Sequence, residues 1–165
     1  MTAQFSLRCH RPDDMNWIVR QHGLIYNREY QWDESFEALV SQIADEFIKN
    51  YNPDRERCWI AEINGEIVGS VLVVQSSATV AKLRLLLVAP EARGLGIGTK
   101  LVEECICFAR LKGYEKLVLW TNSVLKEARH IYQKAGFTLV SAEKHHSFGH
   151  DLTGEIWELP LTGRN

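Results

Sequence analysis

The sequence has no apolar run long enough to span a bilayer, and its first residues lack the basic-then-apolar pattern of a secretory signal. It also has no basic excess, because 21 aspartates and glutamates outweigh 19 lysines and arginines and leave a net charge of −2. Binding to nucleic acids or membrane surfaces normally goes with such an excess, so neither partner is expected. These absences predict a cytoplasmic protein.

Metal-binding patterns are missing as well. A histidine-rich stretch at residues 145–151 lies in a predicted loop, where spacing does not fix a ligand geometry, so no metal is expected. The cysteines form neither a C-x-x-C pair nor a zinc spacing, and we expect buried thiols rather than ligands or disulfides. They are Cys9, Cys58, Cys105 and Cys107.

What is present is ordinary for a globular protein of 165 residues, with 45% hydrophobic and 24% charged side chains. That length favours one domain, expected to span residues 1–165, and no repeat or linker interrupts it. Alternating strand and helix periodicities predict an α/β fold. The predicted strands are 5–9, 58–63, 67–75, 80–88, 117–120, 137–143 and 155–159, and the predicted helices are 14–26, 33–51, 97–111 and 125–135.

The stretch LLLVAPEARGLGIG, residues 85–98, predicts a strand, a turn, a glycine-rich loop and the start of a helix. Such a loop leaves free N–H groups at a helix N-terminus, where the helix dipole favours an anion, so a phosphate-bearing cofactor is expected. A dinucleotide fingerprint would need a glycine at Thr99, and a Walker loop would need lysine directly after Gly98. Neither nucleotide pattern fits.

The pattern that does fit is [QR]-x-x-G-x-[GA], met by Arg93, Gly96 and Gly98. It resembles the acetyl-CoA loop of the GNAT N-acetyltransferases. A second segment, ARHIYQKAGF at residues 128–137, is similar to the A-R-x-x-Y-x-x-x-G-F segment of the same family. The likeness covers roughly residues 58–160. Residues 22–33 and 58–62 are most similar to GNAT domains fused to MarR-type regulators.

The resemblance implies a mixed, mostly antiparallel sheet of six to seven strands, with helices on both faces and a splay between the fourth and fifth strands. It implies acetyl-CoA as co-substrate and Tyr132 as the acid that protonates the leaving thiolate. Asn122 is either a cofactor contact or a helix cap, and both roles could hold. The implied cofactor contacts are Leu86, Leu87, Val88, Arg93, Gly94, Leu95, Gly96, Ile97, Gly98, Thr99, Asn122, Arg129 and Tyr132.

The acceptor side is expected at the junction of the first two helices, where Tyr26, Glu29 and Tyr30 would bind an amine. The alternative is a junction whose aromatic residues simply pack. Several relatives carry a glutamate base on the fourth strand, where this sequence has Lys82, followed on the same face by Arg84. Two cations suit an acceptor with a carboxylate, such as an amino acid, although both could equally be solvent-exposed strand positions.

The general base is left open by this departure. Glu29 is the catalytic candidate, and Glu62 or a histidine of the loop at residues 145–154 are the alternatives.

The sequence therefore predicts transfer of acetyl from acetyl-CoA to a primary amine of a small molecule. No cysteine is placed as a nucleophile, so direct attack in a ternary complex is favoured. The alternatives are acetylation of protein lysines or N-termini, which would need an open groove beside residues 26–33, and a non-catalytic acyl-CoA sensor. The oligomeric state is left open, with a homodimer among the options.

Overall fold

A computed structural model describes residues 4–162. Its strands form one seven-stranded sheet in the order β1-β2-β3-β4-β5-β7-β6. Only β4 and β5 pair in parallel, which confirms the mixed, mostly antiparallel α/β sheet. The elements are β1 (Ser6–Cys9), α1 (Asp14–Tyr30), α2 (Glu34–Asn50), β2 (Arg57–Ile63), β3 (Glu66–Gln75), β4 (Val80–Val88), a 3₁₀ turn (Pro90–Ala92), α3 (Ile97–Leu111), β5 (Lys116–Asn122), α4 (Lys126–Ala135), β6 (Thr138–Ser147) and β7 (His150–Pro160).

Helices cover both faces of the sheet, as expected. On one face, apolar positions of α1 and α2 such as Ile18 and Val40 pack on Ile60 and Leu72 of the sheet. On the other face, α3 buries its apolar stripe against the strands, and Tyr132 of α4 joins the same cluster. Each helix buries one side because its apolar residues recur at helical spacing.

Strands β4 and β5 diverge, which confirms the predicted splay. Their parallel pairing covers only Val80–Leu83 against Lys116–Leu119. Beyond it, β4 carries a bulge against β3, where two residues oppose one, and Leu85 adopts a left-handed φ of 56°. A bulge bends its strand and raises the local twist. The end of β4 therefore turns away from β5 and opens a cleft.

Helix α1 is longer than predicted. It continues through Tyr30 instead of ending at Tyr26, and the left-handed Gln31, with φ 58°, ends it. Gln31 donates its N–H to the carbonyl of Asn27, as a glycine usually does at such a position. The predicted connection is thus mostly helix, and only residues 31–33 join α1 to α2.

The predicted loop at residues 145–154 was wrong, because β6 and β7 extend through it as a hairpin. Phe148 and Gly149, with φ 57° and 84°, form its tight turn. Strand β6 lies at the sheet edge and is exposed along most of its length. It has no apolar alternation for that reason, so a pattern search does not find its second half.

The prediction that the cysteines are buried is right for two of the four. Cys58 and Cys105 are buried as predicted, whereas Cys9 and Cys107 are exposed. Among residues 4–162, no helix is both long and apolar enough to cross a membrane.

Candidate active site

The glycine-rich loop leads directly into α3. Gly94 and Gly96 have φ of 83° and 85°, a region that side chains with a Cβ rarely adopt, and open space surrounds both. No side chain caps the first turn of α3, and Gly96 occupies the capping position. The N–H groups of this turn are therefore available to an anion. The loop fits the phosphate-bearing cofactor that its sequence predicts.

A cavity of about 490 Å³ lies beside this loop. Its walls come from the end of α1, the end of β4, the loop and the start of α4. Most of the predicted site residues meet here, although they come from distant parts of the chain. The predicted residues that line it are Tyr26, Glu29, Tyr30, Leu86, Leu87, Val88, Arg93, Gly94, Gly96, Ile97, Gly98 and Thr99.

Sequence reasoning placed α4 at the site through Arg129 and Tyr132, but it missed the residues of α4 that line the cavity. Its first turns add Lys126, Glu127 and Ile131 to the cavity lining. Ile131 lies close to Gly98, where an added Cβ would come within 2.8 Å of its Cδ1. Gly98 is the sequence signal that could have predicted this contact, because a glycine inside an element often marks the close approach of a neighbouring one.

Arg93 joins the cofactor loop to α1. Its Nη1 and Nη2 donate to the two carboxylate oxygens of Glu29 at 2.8 and 3.1 Å. Glu127 of α4 lies 3.8 Å from its Nε. The hydrogen bonds that Arg93 donates to Glu29 raise the pKa of Arg93. Both carboxylate oxygens of Glu29 are thus engaged by Arg93.

Tyr132 points from α4 into the core, 5% exposed, with its ring 5.8 Å from that of Phe137. Burial raises the pKa of Tyr132, and the nearby phenol of Tyr26 raises it further. Burial also raises the pKa of Tyr26. Both phenols therefore carry their protons at neutral pH. The acid role of Tyr132 stays a prediction, and its side chain lies behind the cavity wall described above.

Asn122 ends β5 and is almost fully buried. Its Oδ1 accepts from Nε2 of His145 at 2.8 Å, and the first residues of α4 receive no side-chain cap. The helix-cap alternative for Asn122 is therefore wrong. Arg129 turns to the sheet, where its Nε donates to the buried Glu155 at 2.8 Å. Leu95 and Arg129 stand outside the cavity lining.

Lys82 and Arg84 lie on the sheet face that α1 and α2 cover in part, because Arg84 pairs with Leu72 of that core. Burial lowers the pKa of both groups, and Arg84 lowers that of Lys82 further. Within residues 4–162, neither cation has a carboxylate within 4.0 Å. Both are half-buried, so they are not simply solvated strand positions.

The tip of the β6–β7 hairpin docks on the α1–α2 junction. The ring of Phe148 lies 4.9 Å from Trp32 and 5.0 Å from Phe36. Asp33 N donates to the carbonyl of Phe148 at 3.1 Å, and Nε2 of His150 contacts the carbonyl of Gln31 at 2.8 Å. The hairpin thus contacts each of residues 31–33, of which Trp32 is buried while Gln31 and Asp33 stay exposed. No sequence pattern near Phe148 predicts this contact.

Aromatic side chains pack beneath this closure. Tyr26 stacks on His22, with centroids 5.8 Å apart, and lies 4.7 Å from Phe36. His22 is buried, and desolvation lowers its pKa to about 4. Its Nδ1 donates to the carbonyl of Ile18 at 2.7 Å, so the proton of the neutral ring is on Nδ1. The junction therefore both packs and lines the cavity, since Tyr26 and Tyr30 do the lining while Trp32 is buried.

Known proteins are similar to this chain in sequence and in fold. The sequence matches the Acetyltransferase (GNAT) family over residues 15–137. It is 35% identical over 108 residues to camello of Xenopus tropicalis, which is named a probable N-acetyltransferase. The aligned part is 64% of this chain and 49% of that protein. The sequence is 26% identical over 144 residues to spermidine N(1)-acetyltransferase of Escherichia coli K12, covering 86% of this chain and 76% of that enzyme.

Solved structures show the same fold. The structure of yncA from Salmonella typhimurium, which contains its cofactor acetyl-CoA, superposes with a TM-score of 0.77 at 17% identity and covers 97% of this chain and 95% of the other. An N-acetyltransferase from Staphylococcus aureus Mu50 superposes with a TM-score of 0.78 at 19% identity, covering 97% and 100%. The chain belongs to the GNAT acetyltransferase family. Its resemblance to regulator-fused members stays a prediction.

Proposed function

We propose that the protein transfers an acetyl group from acetyl-CoA to a primary amine of a small molecule that carries a carboxylate. The observation that carries this proposal is the cavity that joins an anion-binding glycine loop to the splayed strands β4 and β5. Family membership and the acetyl-CoA bound by yncA support the cofactor. The Escherichia coli spermidine enzyme supports a small amine as acceptor.

The chain's own backbone would hold acetyl-CoA, which supplies the activated acetyl group when bound. The loop N–H groups from Gly94 to Thr99 would bind its pyrophosphate. Beyond Leu83, the edge of β4 lacks β5 as its partner, so the groups near Leu86 and Val88 are free for the pantetheine amides. One N–H at this edge stabilises the charge that develops on the thioester oxygen.

Tyr132 is assigned as the acid for the leaving thiolate, because its buried phenol keeps its proton at neutral pH. Asn122, at the end of β5, and Arg129, on α4, stay proposed cofactor contacts, although neither lines the cavity in this structure. Glu29 is assigned a positioning role instead of the base role, because Arg93 occupies both of its oxygens. The pair fixes α1 against the cofactor loop.

Direct attack in a ternary complex is favoured over an acetyl-enzyme. Burial raises the pKa of the Cys58 and Cys105 thiols, which keeps both protonated and unreactive. The exposed Cys9 and Cys107 stand outside the cavity lining.

The acceptor is argued from Lys82 and Arg84. Two half-buried cations without a close carboxylate among the described residues repel a polyamine and attract an anionic group. The docked hairpin tip closes the junction beside the cavity, which favours a small acceptor over a protein segment. An amino acid or a related amino carboxylate satisfies both conditions.

The test is thiol release from acetyl-CoA with amino acids, spermidine and lysine-containing peptides, alongside calorimetry of acetyl-CoA binding. We expect turnover with amino carboxylates, and about a tenfold rise in their KM in Lys82→Met or Arg84→Met. Lys116→Met is the matched control, because Lys116 lies at the start of β5, away from the cleft, and already pairs with Glu158. Preference for spermidine would overturn the carboxylate assignment alone. Tight acetyl-CoA binding without acceptor-dependent release would favour the sensor.

A further inference from the structure

Three side chains form a hydrogen-bonded chain on the acceptor side of the sheet. Nε2 of His145 lies 2.8 Å from Oδ1 of Asn122, and Nδ1 of His145 lies 2.9 Å from the hydroxyl of Ser147. An amide oxygen can only accept, so Nε2 carries the ring proton. Nδ1 of the neutral ring is then the acceptor, and the hydroxyl of Ser147 donates to it. The chain is oriented from Ser147 towards Asn122.

Its position follows from the strand registers. Asn122 ends β5 three residues beyond Leu119, the last residue that pairs with β4, so it lies on the part of β5 from which β4 has separated. His145 lies on the same face as Trp120, whose half-exposed ring is centred 5.5 Å away. Trp120 belongs to the face of Lys82, because Val118 pairs with Lys82 and strand residues two apart share a face.

Ser147 stands next to the docked hairpin tip. Phe148 follows it and anchors the turn on Trp32 and Phe36. The hydroxyl of Ser147 keeps its lone pairs free for a donor from the acceptor side while its proton is given to His145. The closure of the hairpin thus sets the distance between this hydroxyl and the junction.

The other carboxylates considered for the base are already engaged. Arg93 occupies both oxygens of Glu29, and Arg8 binds Glu62 at 2.8 Å between β1 and β2. His22 is buried under Tyr26 with its neutral form strongly favoured. His145 instead has its acceptor nitrogen, Nδ1, bonded to the hydroxyl of Ser147 and to no charged group among the described residues.

We propose that Ser147 and His145 remove the proton from the acceptor amine, an inference that rests on the proposed function. As the amine nitrogen bonds to the acetyl carbon, its proton passes to Oγ of Ser147 while the Ser147 proton passes to Nδ1 of His145. The bond from the acetyl carbon to sulfur breaks, and the thiolate takes its proton from Tyr132. The imidazolium returns its proton through solvent to the phenolate of Tyr132. No oxidant or further reactant is needed.

Asn122 is a positioning residue in this scheme. Its Oδ1 holds the Nε2–H tautomer, and it stabilises the imidazolium when Nδ1 is protonated. Ser147 is the group that touches the acceptor.

The test uses the amine with the highest turnover in the acceptor panel and its aminooxy analogue, R–O–NH2, whose nitrogen is neutral at pH 7. In His145→Gln, we expect kcat/KM for the amine to fall about 100-fold, and that for the analogue by less than about tenfold, because a weakly basic nitrogen needs little help in losing its proton. Ser147→Ala should show the same dependence on the acceptor, and Ser147→Thr should restore most activity.

His146→Gln is the matched control, because His146 is the next residue on β6 and pairs outside the cluster with Asp151. It should leave both acceptors unaffected. Equal losses for both acceptors in His145→Gln, with an active wild type, would show a merely structural role and overturn this inference alone. A wild type that acetylates no amine would overturn the proposed function and this inference together.

A second readout needs no acceptor. Nitrogen NMR of the histidine side chains should show His145 neutral with its proton on Nε2. A proton on Nδ1 would overturn the inference, because that nitrogen could then take none from Ser147.

Discussion

The two sides of the cleft are built differently. The cofactor side is one continuous stretch, from the bulge at Leu85 to the first turn of α3, and it offers mainly backbone groups. The proposed acceptor side is assembled from side chains on α1, β4, β5 and β6: Tyr26 lines the cavity, whereas Arg84 and His145 lie outside its lining, on the sheet face that α1 and α2 cover in part. A backbone site needs only the local conformation that its own residues dictate. A side-chain site needs the whole tertiary structure, and four experiments test this contrast.

The largest effect is expected on the acceptor side, where stability should depend on pH through His22. Its pKa is about 4 in the folded state against 6.5 ordinarily. The unfolded chain therefore takes up the proton first, and the stabilisation present above pH 6.5 is lost as the pH falls from 6.5 to about 4. The loss should reach about 3 kcal/mol.

Urea unfolding between pH 7 and pH 4 measures this loss. His22→Gln should remove most of the pH dependence in that window, whereas His130→Gln, at an exposed position, should keep it. An unchanged slope in His22→Gln would mean that other groups control the acid sensitivity.

On the cofactor side, Gly96→Glu should weaken acetyl-CoA binding about 100-fold, or about 2.7 kcal/mol. The new side chain strains a φ of 85° and sets a negative charge against the pyrophosphate. Gly113→Glu is the control, because Gly113 has a φ of 84° in open space at the other end of α3. Calorimetry of both variants separates the charge at the site from backbone strain. Equal affinities would remove the loop from the cofactor site.

Tyr132→Phe should lower kcat at least about tenfold, or about 1.4 kcal/mol of barrier, while acetyl-CoA affinity stays nearly intact. The phenol acts on the leaving thiolate and adds little to ground-state binding. Tyr114→Phe removes the hydroxyl of another tyrosine of the same core, one that donates to the carbonyl of Arg55 away from the cleft, and should cost stability only. Steady-state kinetics decide the matter, and unchanged turnover in Tyr132→Phe would end its acid role.

The smallest effect is expected for Glu29→Gln. Arg93 holds Glu29, so a positioning role predicts a change in kcat below about threefold, against about 100-fold for a base. Glu127→Gln removes a charge 3.8 Å from the same arginine and serves as the control. Large loss in Glu29→Gln alone would return the base role to this residue.

The elements of the cofactor side could be predicted from the sequence. The bounds of β4 and α3 match the predicted 80–88 and 97–111, because glycines and proline mark the turns and the helix stripe is strongly periodic. Arg93, Gly96 and Gly98 lie where their pattern implied. Asn64 and Gly65 also form the predicted hairpin turn, with φ of 53° and 82°.

The acceptor side resisted prediction for physical reasons. The last turn of α1 ends at Gln31, a residue without the glycine signal that usually marks a left-handed cap. Strand β6 reaches Ser147 at a solvent-exposed edge, where burial imposes no alternation. The contacts of Phe148 with Trp32 and of His145 with Asn122 join residues far apart in sequence. Only packing brings them together.

The short parallel register between β4 and β5 has a mechanical consequence. Four residue pairs, from Val80–Lys116 to Leu83–Leu119, join β1–β4 to the β5–β7–β6 half of the sheet. In the proposed complex, the pantetheine arm occupies the gap and supplies hydrogen bonds that a continuous strand pair would make. The bound co-substrate would then connect the two halves of the sheet. A higher concentration of acetyl-CoA should therefore raise the free energy of unfolding as well as the rate of turnover.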